Sequence, residues 1–312
     1  MLRFFFKKAL FLLSTLFVIV SLTFFLMKMV PGDPFSDEQG IRKDMQELLL
    51  AEHGLNQPLI TQYKNYLTQL FQCELGYSIK YKGCAVNQVI KKAFPVSALL
   101  GAQSFLIALI SGIFLGVFAA VKSNEWEDQW MIVLTTLGIS IPSFVMAALL
   151  QYVLAIYIPI FPMARWGCFS QTILPSLALA LAPMAFIARL TRSSMLEVLK
   201  SEYIKAAKAK GLPMWYWLWK HALRNALLPV LSFLGQLLAN ILVGSFVIEK
   251  IFSIPGLGQW FISSVASRDY PMIMGLTLFY SSVLLMCVFV IDILYGFYDP
   301  RIRLNNPNKK VS

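Results

Sequence analysis

Residues 98–121 read ALLGAQSFLIALISGIFLGVFAAV, twenty-four residues without one charged side chain. At a helical rise of about 1.5 Å per residue, such a stretch is long enough to cross the roughly 30 Å of hydrocarbon in a bilayer. A strand is excluded there, because an open strand in lipid leaves its backbone N–H and C=O groups unpaired. The stretch therefore reads as a membrane-spanning helix, and the rest of the chain can be read outward from it.

Five more apolar blocks have the same character, at 9–30, 130–157, 173–190, 226–248 and 271–296. Composition agrees. The 312 residues are 58% hydrophobic and only 14% charged, with a mean hydropathy of +0.66; a soluble domain is closer to about a quarter charged. A soluble chain would also break its apolar residues into amphipathic stripes. At the N-terminus, Arg3, Lys7 and Lys8 precede an apolar run too long for a signal peptide and followed by no small-residue cleavage site, so it reads as a retained first span. The expected fold is an all-α polytopic membrane protein of six transmembrane helices. Its regions are a tail and first helix (1–30), a polar external loop (31–97), a core of five helices (98–298) that includes a basic loop (191–225), and a cytoplasmic tail (299–312).

The net charge of +11 is a question of sidedness rather than of nucleic acid, since no Arg-rich or Gly-rich nucleic-acid motif and no basic-aromatic stacking platform accompanies it. With the N-terminus inside, that side holds sixteen Lys and Arg, eight of them between Arg189 and Arg224, against three in the two short loops opposite. The long first loop is set aside, because long loops translocate largely regardless of charge. Both termini are therefore expected to be cytoplasmic.

Cys73, Cys84, Cys168 and Cys287 form no CxxC pair, and His53 and His221 are the only histidines, so a structural zinc site is not expected. Cys73 and Cys84 share the external loop, where a disulfide between them is one reading and Cys168 a competitor; Cys287 reads as packing. That loop should also carry a short helix at 46–53 and turns at Pro31-Gly32-Asp33-Pro34 and at Gly83. Pro142 and Pro183 fall inside spans and are expected to kink them, either as shaping for a cavity, the favoured reading, or as gating hinges.

The basic loop has the clearest local pattern: Ser201-Glu202-Tyr203-Ile204-Lys205-Ala206-Ala207-Lys208-Ala209-Lys210-Gly211-Leu212-Pro213. Ser201 is a good N-cap and Glu202 suits the positive end of a helix. Lys208 and Lys210 suit its last turn, Gly211 a left-handed C-cap, and Pro213 a stop. Upstream, Ser194-Met195-Leu196-Glu197 has capping-box spacing. Downstream, Trp215, Trp217, Trp219 and Lys220 suit a membrane interface. With Ala206 and Ala207 small enough for close approach, the short helix reads as a knob for a soluble partner, or alternatively as a basic helix lying on anionic lipid.

At this point the sequence resembles the integral membrane permease subunits of ATP-binding-cassette importers. The likeness is to the peptide/nickel branch, and within it to the B-type subunits of oligopeptide and dipeptide permeases. The residues that carry it run along nearly the whole chain. They include Val30-Pro31-Gly32-Asp33-Pro34, Leu75-Gly76-Tyr77-Ser78, Pro142-Ser143-Phe144 and Ala188-Arg189-Leu190-Thr191-Arg192-Ser193-Ser194-Met195-Leu196. Further along come His221-Ala222-Leu223-Arg224-Asn225-Ala226-Leu227-Leu228-Pro229, Phe252-Ser253-Ile254-Pro255-Gly256-Leu257-Gly258, Arg268-Asp269-Tyr270-Pro271 and Tyr298-Asp299-Pro300-Arg301.

The resemblance implies that helix 201–211 is a cytoplasmic coupling helix docking on an ATPase. Ala206, Ala207 and Gly211 match the family's Glu-Ala-Ala…Gly signature; Lys205 stands at the Glu position, with Glu202 three residues earlier. It also implies an assembly with a second, homologous permease, two ATP-binding-cassette ATPase subunits and an external substrate-binding protein, in the bacterial inner membrane and in contact with its lipid. The chain itself has no Gly-x-x-x-x-Gly-Lys-Ser/Thr sequence and no nucleophile-and-base set, so ATP belongs to the partners and the chain is not expected to be an enzyme or to bind a cofactor. Gln103, Ser104, Gln151, Gln236 and Asn240 either line a substrate path or hydrogen-bond helix to helix. Asp292, read as the only acid well inside a span, is taken as structural and satisfied by water or Arg189. Import of nickel or another small solute by the same machinery is the nearer alternative. A gradient-driven secondary transporter is the remoter one, since it calls for inverted repeats and paired intramembrane charges that are not seen.

Overall fold

The computed structural model describes residues 2–29, 56–81, 83–163 and 165–298; the side chains of Gln236, Asn240 and Asp292 lie outside the described set, as do the helix expected at 46–53 and the tail from 299. Among the described residues the structure is helical, with one isolated antiparallel bridge, Tyr77 to Ala85. Four helices are long and apolar enough to cross a membrane, and two bent pairs raise the number of candidate spans to six.

The helices, in chain order, are α1 (Leu2–Met29), α2 (Leu59–Phe71), α3 (Val86–Val121), α4 (Trp126–Ser140), α5 (Ser143–Gln151), α6 (Phe169–Leu199), α7 (Glu202–Ala209), α8 (Met214–Trp217), α9 (Arg224–Ala226), α10 (Leu228–Ile251), α11 (Leu257–Ala266) and α12 (Tyr270–Tyr298). Two π-helical stretches, Tyr152–Tyr157 after α5 and Leu218–Leu223 between α8 and α9, complete them.

Two of these helices outrun the spans read from hydropathy. α3 begins at Val86 rather than at 98, because Lys91 and Lys92 interrupt the apolar pattern without interrupting the helix. α6 runs nine residues past 190 to Leu199, so Ser194-Met195-Leu196-Glu197 lies inside a continuous helix and caps nothing.

The two prolines behave differently. Pro183 sits within an unbroken α6. At Pro142 the expected kink is instead a break: α4 and the helix after it meet at 105°. Ile141, held extended before a proline (φ −86°, ψ 123°), closes α4 with its N–H on the Leu137 carbonyl at 3.0 Å. Pro142 then starts a new helix, its carbonyl accepting from the Val145 and Met146 N–H groups at 3.0 and 3.1 Å.

The described chain forms two compact units. In the unit of Met1–Ser97 and Pro255–Leu285, Val20 and Phe24 of α1 pack on Tyr66 of α2, with the Phe24 and Tyr66 rings stacked at 5.7 Å. Burial, and secondly Tyr63, push the Tyr66 phenol up to about 12, so it stays a neutral hydroxyl. The start of α3 packs on Leu257 of α11 and on Met272 and Leu276 of α12. Asp269, fully buried, accepts from the Ser78 hydroxyl and from the Ile79 N–H at 3.2 Å. The Ser97 hydroxyl accepts from the Leu257 N–H at 2.9 Å. Buried polar side chains thus join the fragment around Ser78 to that around Asp269, and Ser97 of α3 to the fragment around Leu257. All four cysteines are free thiols, and the Cys73–Cys84 bridge is not formed.

In the unit of Ala98–Ile254 and Met286–Ser312, α6 is the axis, packed against α4, α5 and α10. α3 reaches it through glycines. A Cβ on Gly112 would lie 2.8 Å from Ile187 Cβ, and one on Gly116 would lie 2.5 Å from the Ala188 carbonyl oxygen and 2.6 Å from Thr191 Cβ. Gly112 and Gly116 are one turn apart on one face, the small-xxx-small spacing that lets membrane helices touch at backbone distance. Gly138 does the same for α4, 3.1 Å from Ala185 Cβ. Gly101 has more room, its nearest neighbour being Ile241 Cγ2 at 3.6 Å. We predict that Gly116→Ala destabilises the detergent-solubilised protein by about 1–3 kcal/mol, while Gly101→Ala leaves the melting temperature within error; thermal unfolding followed by fluorescence-detected size exclusion measures both.

Candidate functional site

The short helix expected after Ser201 is present as α7, and its ends are set by the residues that sequence singled out. Ser201 is its N-cap residue in extended conformation (φ −69°, ψ 150°), but its hydroxyl donates back to the Val198 carbonyl at 2.5 Å instead of capping α7. The C-terminus closes as a Schellman motif. The Leu212 N–H donates to the Ala207 carbonyl at 3.4 Å and the Gly211 N–H to the Lys208 carbonyl at 3.0 Å, with Gly211 left-handed at φ +72°. Open space surrounds the Cβ position of Gly211, so the requirement for glycine is conformational and not steric. Pro213 then begins α8, its carbonyl accepting from the Tyr216 N–H at 3.0 Å.

α7 has two distinct faces. Ile204 (0% exposed) and Ala207 (8%) are buried with Val117 and Ala120 of α3, Met195 of α6, and Trp217, Leu218, Ala222, Leu223 and Ala226 of the segment that follows. Two further ties hold it: the Asn225 amide donates to the Tyr203 hydroxyl at 2.9 Å, and Lys208 Nζ lies 4.6 Å above the Trp217 ring. The opposite face is open: Glu202, Lys205, Ala206, Ala209, Lys210 and Gly211 are exposed. Glu202 and Lys205 form an ion pair at 2.7 Å, worth little at such exposure. The expectation that Ala206 and Ala207 together make the close-approach surface is therefore corrected: Ala206 faces outward, whereas Ala207 is part of the protein's own core.

The polar residues considered for a substrate path fall into two groups. Gln103 on α3 accepts from the Ser176 hydroxyl of α6 at 3.0 Å, a bond between helices. Ser104 is buried and donates along its own helix to Leu100 at 2.8 Å, and the Gln151 amide donates to the Met163 carbonyl at 2.6 Å. The side chains of Gln236 and Asn240 lie outside the described residues. Arg189 donates to the Thr136 hydroxyl at 3.0 Å.

Three buried acids were given no role by the sequence, although Asp269 stands in one of the stretches that carry the resemblance. Asp128 of α4 is bound by Arg192 of α6 through two hydrogen bonds, at 2.5 and 2.7 Å. Glu249, near the end of α10, is fully buried, as is Asp269. Asp128 and Glu249 lie within two residues of the ends assigned to spans at 130 and 248, so hydropathy placed them in loops. A carboxylate that close to a span's edge was the available signal.

Helices long and apolar enough to cross a membrane, packed through glycines and followed by a short helix exposed on one face, are the features of a polytopic membrane protein. The comparisons with known proteins are specific. Residues 112–304 match the family model for the binding-protein-dependent transport system inner membrane component. Residues 1–101 match the model described as binding-prot-dependent transport system membrane comp, N-term. The chain belongs to this family and is a multi-pass inner-membrane protein. It is 49% identical over 305 residues to the dipeptide transport system permease protein of Bacillus subtilis, covering 98% of this chain and 99% of that one. It is 43% identical to the oligopeptide transport system permease protein of Salmonella typhimurium and 42% identical to the dipeptide transport system permease protein of Lactococcus lactis, each match covering 97% of this chain and 100% of the relative.

The two faces of α7 give a discriminating pair of variants. Ala207→Glu inserts a carboxylate into an apolar cluster and should destabilise the protein by about 3 kcal/mol. Ala206→Glu should leave the melting temperature of the isolated chain unchanged. Thermal unfolding of the two purified variants checks this.

Proposed function

We propose that this chain is the transmembrane permease subunit of an ATP-driven importer that moves dipeptides or oligopeptides across the cytoplasmic membrane. The observation that carries the reading is end-to-end similarity to permeases named for dipeptide and oligopeptide transport, at 41–49% identity. In this reading the chain pairs with a second, homologous permease and two ATP-binding-cassette ATPase subunits, and receives substrate from an external binding protein. ATP is bound and hydrolysed on the partners. Both termini and α7 face the cytoplasm in this reading, which the excess of Lys and Arg on that side supports.

α7 is then the coupling helix. Its outward face, with Glu202, Ala206 and Gly211 in reach of a partner and Lys205 paired to Glu202, enters a groove of the ATPase. Its inward face, through Ile204 and Ala207, is seated on α3 and α6. Closure of the ATPase pair displaces α7, and the seated face passes the displacement to the spans. This is a two-state equilibrium biased by differential binding of ATP and loaded binding protein.

The test is expression with the neighbouring transporter subunits, affinity purification in mild detergent, and uptake of a labelled di- or tripeptide by whole cells. The wild-type chain should bring down two P-loop ATPases and a second six-span subunit, and support uptake. Ala206→Glu should reach the membrane at wild-type level yet lose ATPase recovery and at least about 90% of uptake, a tenfold effect corresponding to roughly 1.4 kcal/mol at the interface. Recovery of the wild-type chain alone, under conditions that preserve related complexes, would contradict the proposal.

A further inference from the structure

Where the sequence reading placed loop cations, the structure has a locked joint. The Asp128 carboxylate is only 2% exposed. Arg192 Nε donates to one of its oxygens at 2.5 Å and Nη2 to the other at 2.7 Å, a two-point contact that fixes angle as well as distance. The Asn124 N–H, from the turn between α3 and α4, donates to the second oxygen at 3.0 Å. The other charges of this turn are engaged locally, with Lys122 at 2.7 Å from Glu125 and 3.8 Å from Glu127.

On the α3 side the same turn of α6 is closed sterically. A Cβ on Gly116 would sit 2.5 Å from the Ala188 carbonyl, 2.6 Å from Thr191 Cβ and 3.1 Å from the Arg192 nitrogen. The end of α3, the turn, the start of α4 and residues 188–192 of α6 thus form one block. Arg192 lies seven residues before Leu199, about 10 Å along the helix, and α7 begins three residues after that. α4 leads from the block to the 105° break at Pro142.

We propose that Arg192 and Asp128 are the positioning pair through which movement of α7 reaches the broken span Trp126–Tyr157. This rests on the proposed function, which makes α7 the input. A buried ion pair is weak evidence for stability, since well-packed apolar residues often serve a fold equally well. What this pair adds is a single register between α6 and α4, held by three donors on one carboxylate. A helix driven at its end carries its neighbour only if the joint does not slip.

The experiment uses the complete complex in lipid nanodiscs, with binding protein and peptide. The readout is the ratio of ATPase rates with and without loaded binding protein, alongside the melting temperature and subunit composition. Arg192→Lys keeps the charge and loses the two-point geometry. The double variant Arg192→Met with Asp128→Leu removes the buried carboxylate and its half-buried partner together and guards against loss of folding in single variants. Both should assemble with all subunits, and the stimulation ratio should fall on the order of tenfold in the double variant, the size of typical coupling terms, and by less in Arg192→Lys. A double variant that assembles and is stimulated like wild type would overturn the inference and leave the functional reading intact. A wild-type chain that recovers no ATPase would overturn the functional reading and this inference with it.

Discussion

In hydrocarbon no hydrophobic force draws one apolar helix to another, so association depends on close packing and on polar ties. Both converge on α6. Gly112, Gly116 and Gly138 bring α3 and α4 to backbone distance from it. Ser176 bonds Gln103, Arg189 bonds Thr136, and Arg192 bonds Asp128, giving a ladder of polar contacts along its length. The ladder is consistent with direction: α3 runs parallel to α6 and α4 antiparallel, as successive spans that alternate across a membrane must. If α6 moved away from these neighbours, each of these side-chain pairs would lose its bond.

α7 inherits its placement from that axis. It follows α6 after a two-residue joint, and its buried face adds Ile204 and Ala207 to a cluster that already contains Met195 of α6 and Val117 of α3. The Schellman closure at Gly211 stops the helix after little more than two turns, and Pro213 turns the chain into the aromatic segment that covers its flank. A helix so short gains little from its own hydrogen bonds, so its order comes from this seat. The result is a rigid element with one face bound to the spans and the other open, which is the geometry a mechanical input requires.

Much of this was legible in the sequence because it rests on local chemistry or on bulk composition. The spans follow from apolar runs, and α7 follows from Glu202, Gly211 and Pro213. The left-handed residue at Gly211 was readable for the same reason. Other features depend on partners far away in the chain. That Ala207 is core and Ala206 is surface is decided by Ala222 and Trp217, not by the Ala-Ala pair. Pro142 breaks a span while Pro183 does not, although both lack the same N–H. The Arg192–Asp128 pair was hidden by two errors of the same kind: a span ended too early at 190 and another begun too late at 130, which put each charge in a loop and counted Arg192 only as a topological signal.

The central claim is that the outward face of α7 is the contact with the ATPase, and site-specific photo-crosslinking tests it most directly. A photoreactive residue is placed at 206, and in a separate chain at 207, and membranes carrying the assembled transporter are irradiated. The account predicts a covalent adduct with a P-loop ATPase, identified by mass spectrometry, from position 206. From position 207 it predicts adducts within the chain itself, to the segment around Trp217. An absence of ATPase adduct at 206 in membranes where the ATPases co-purify with the chain would contradict it.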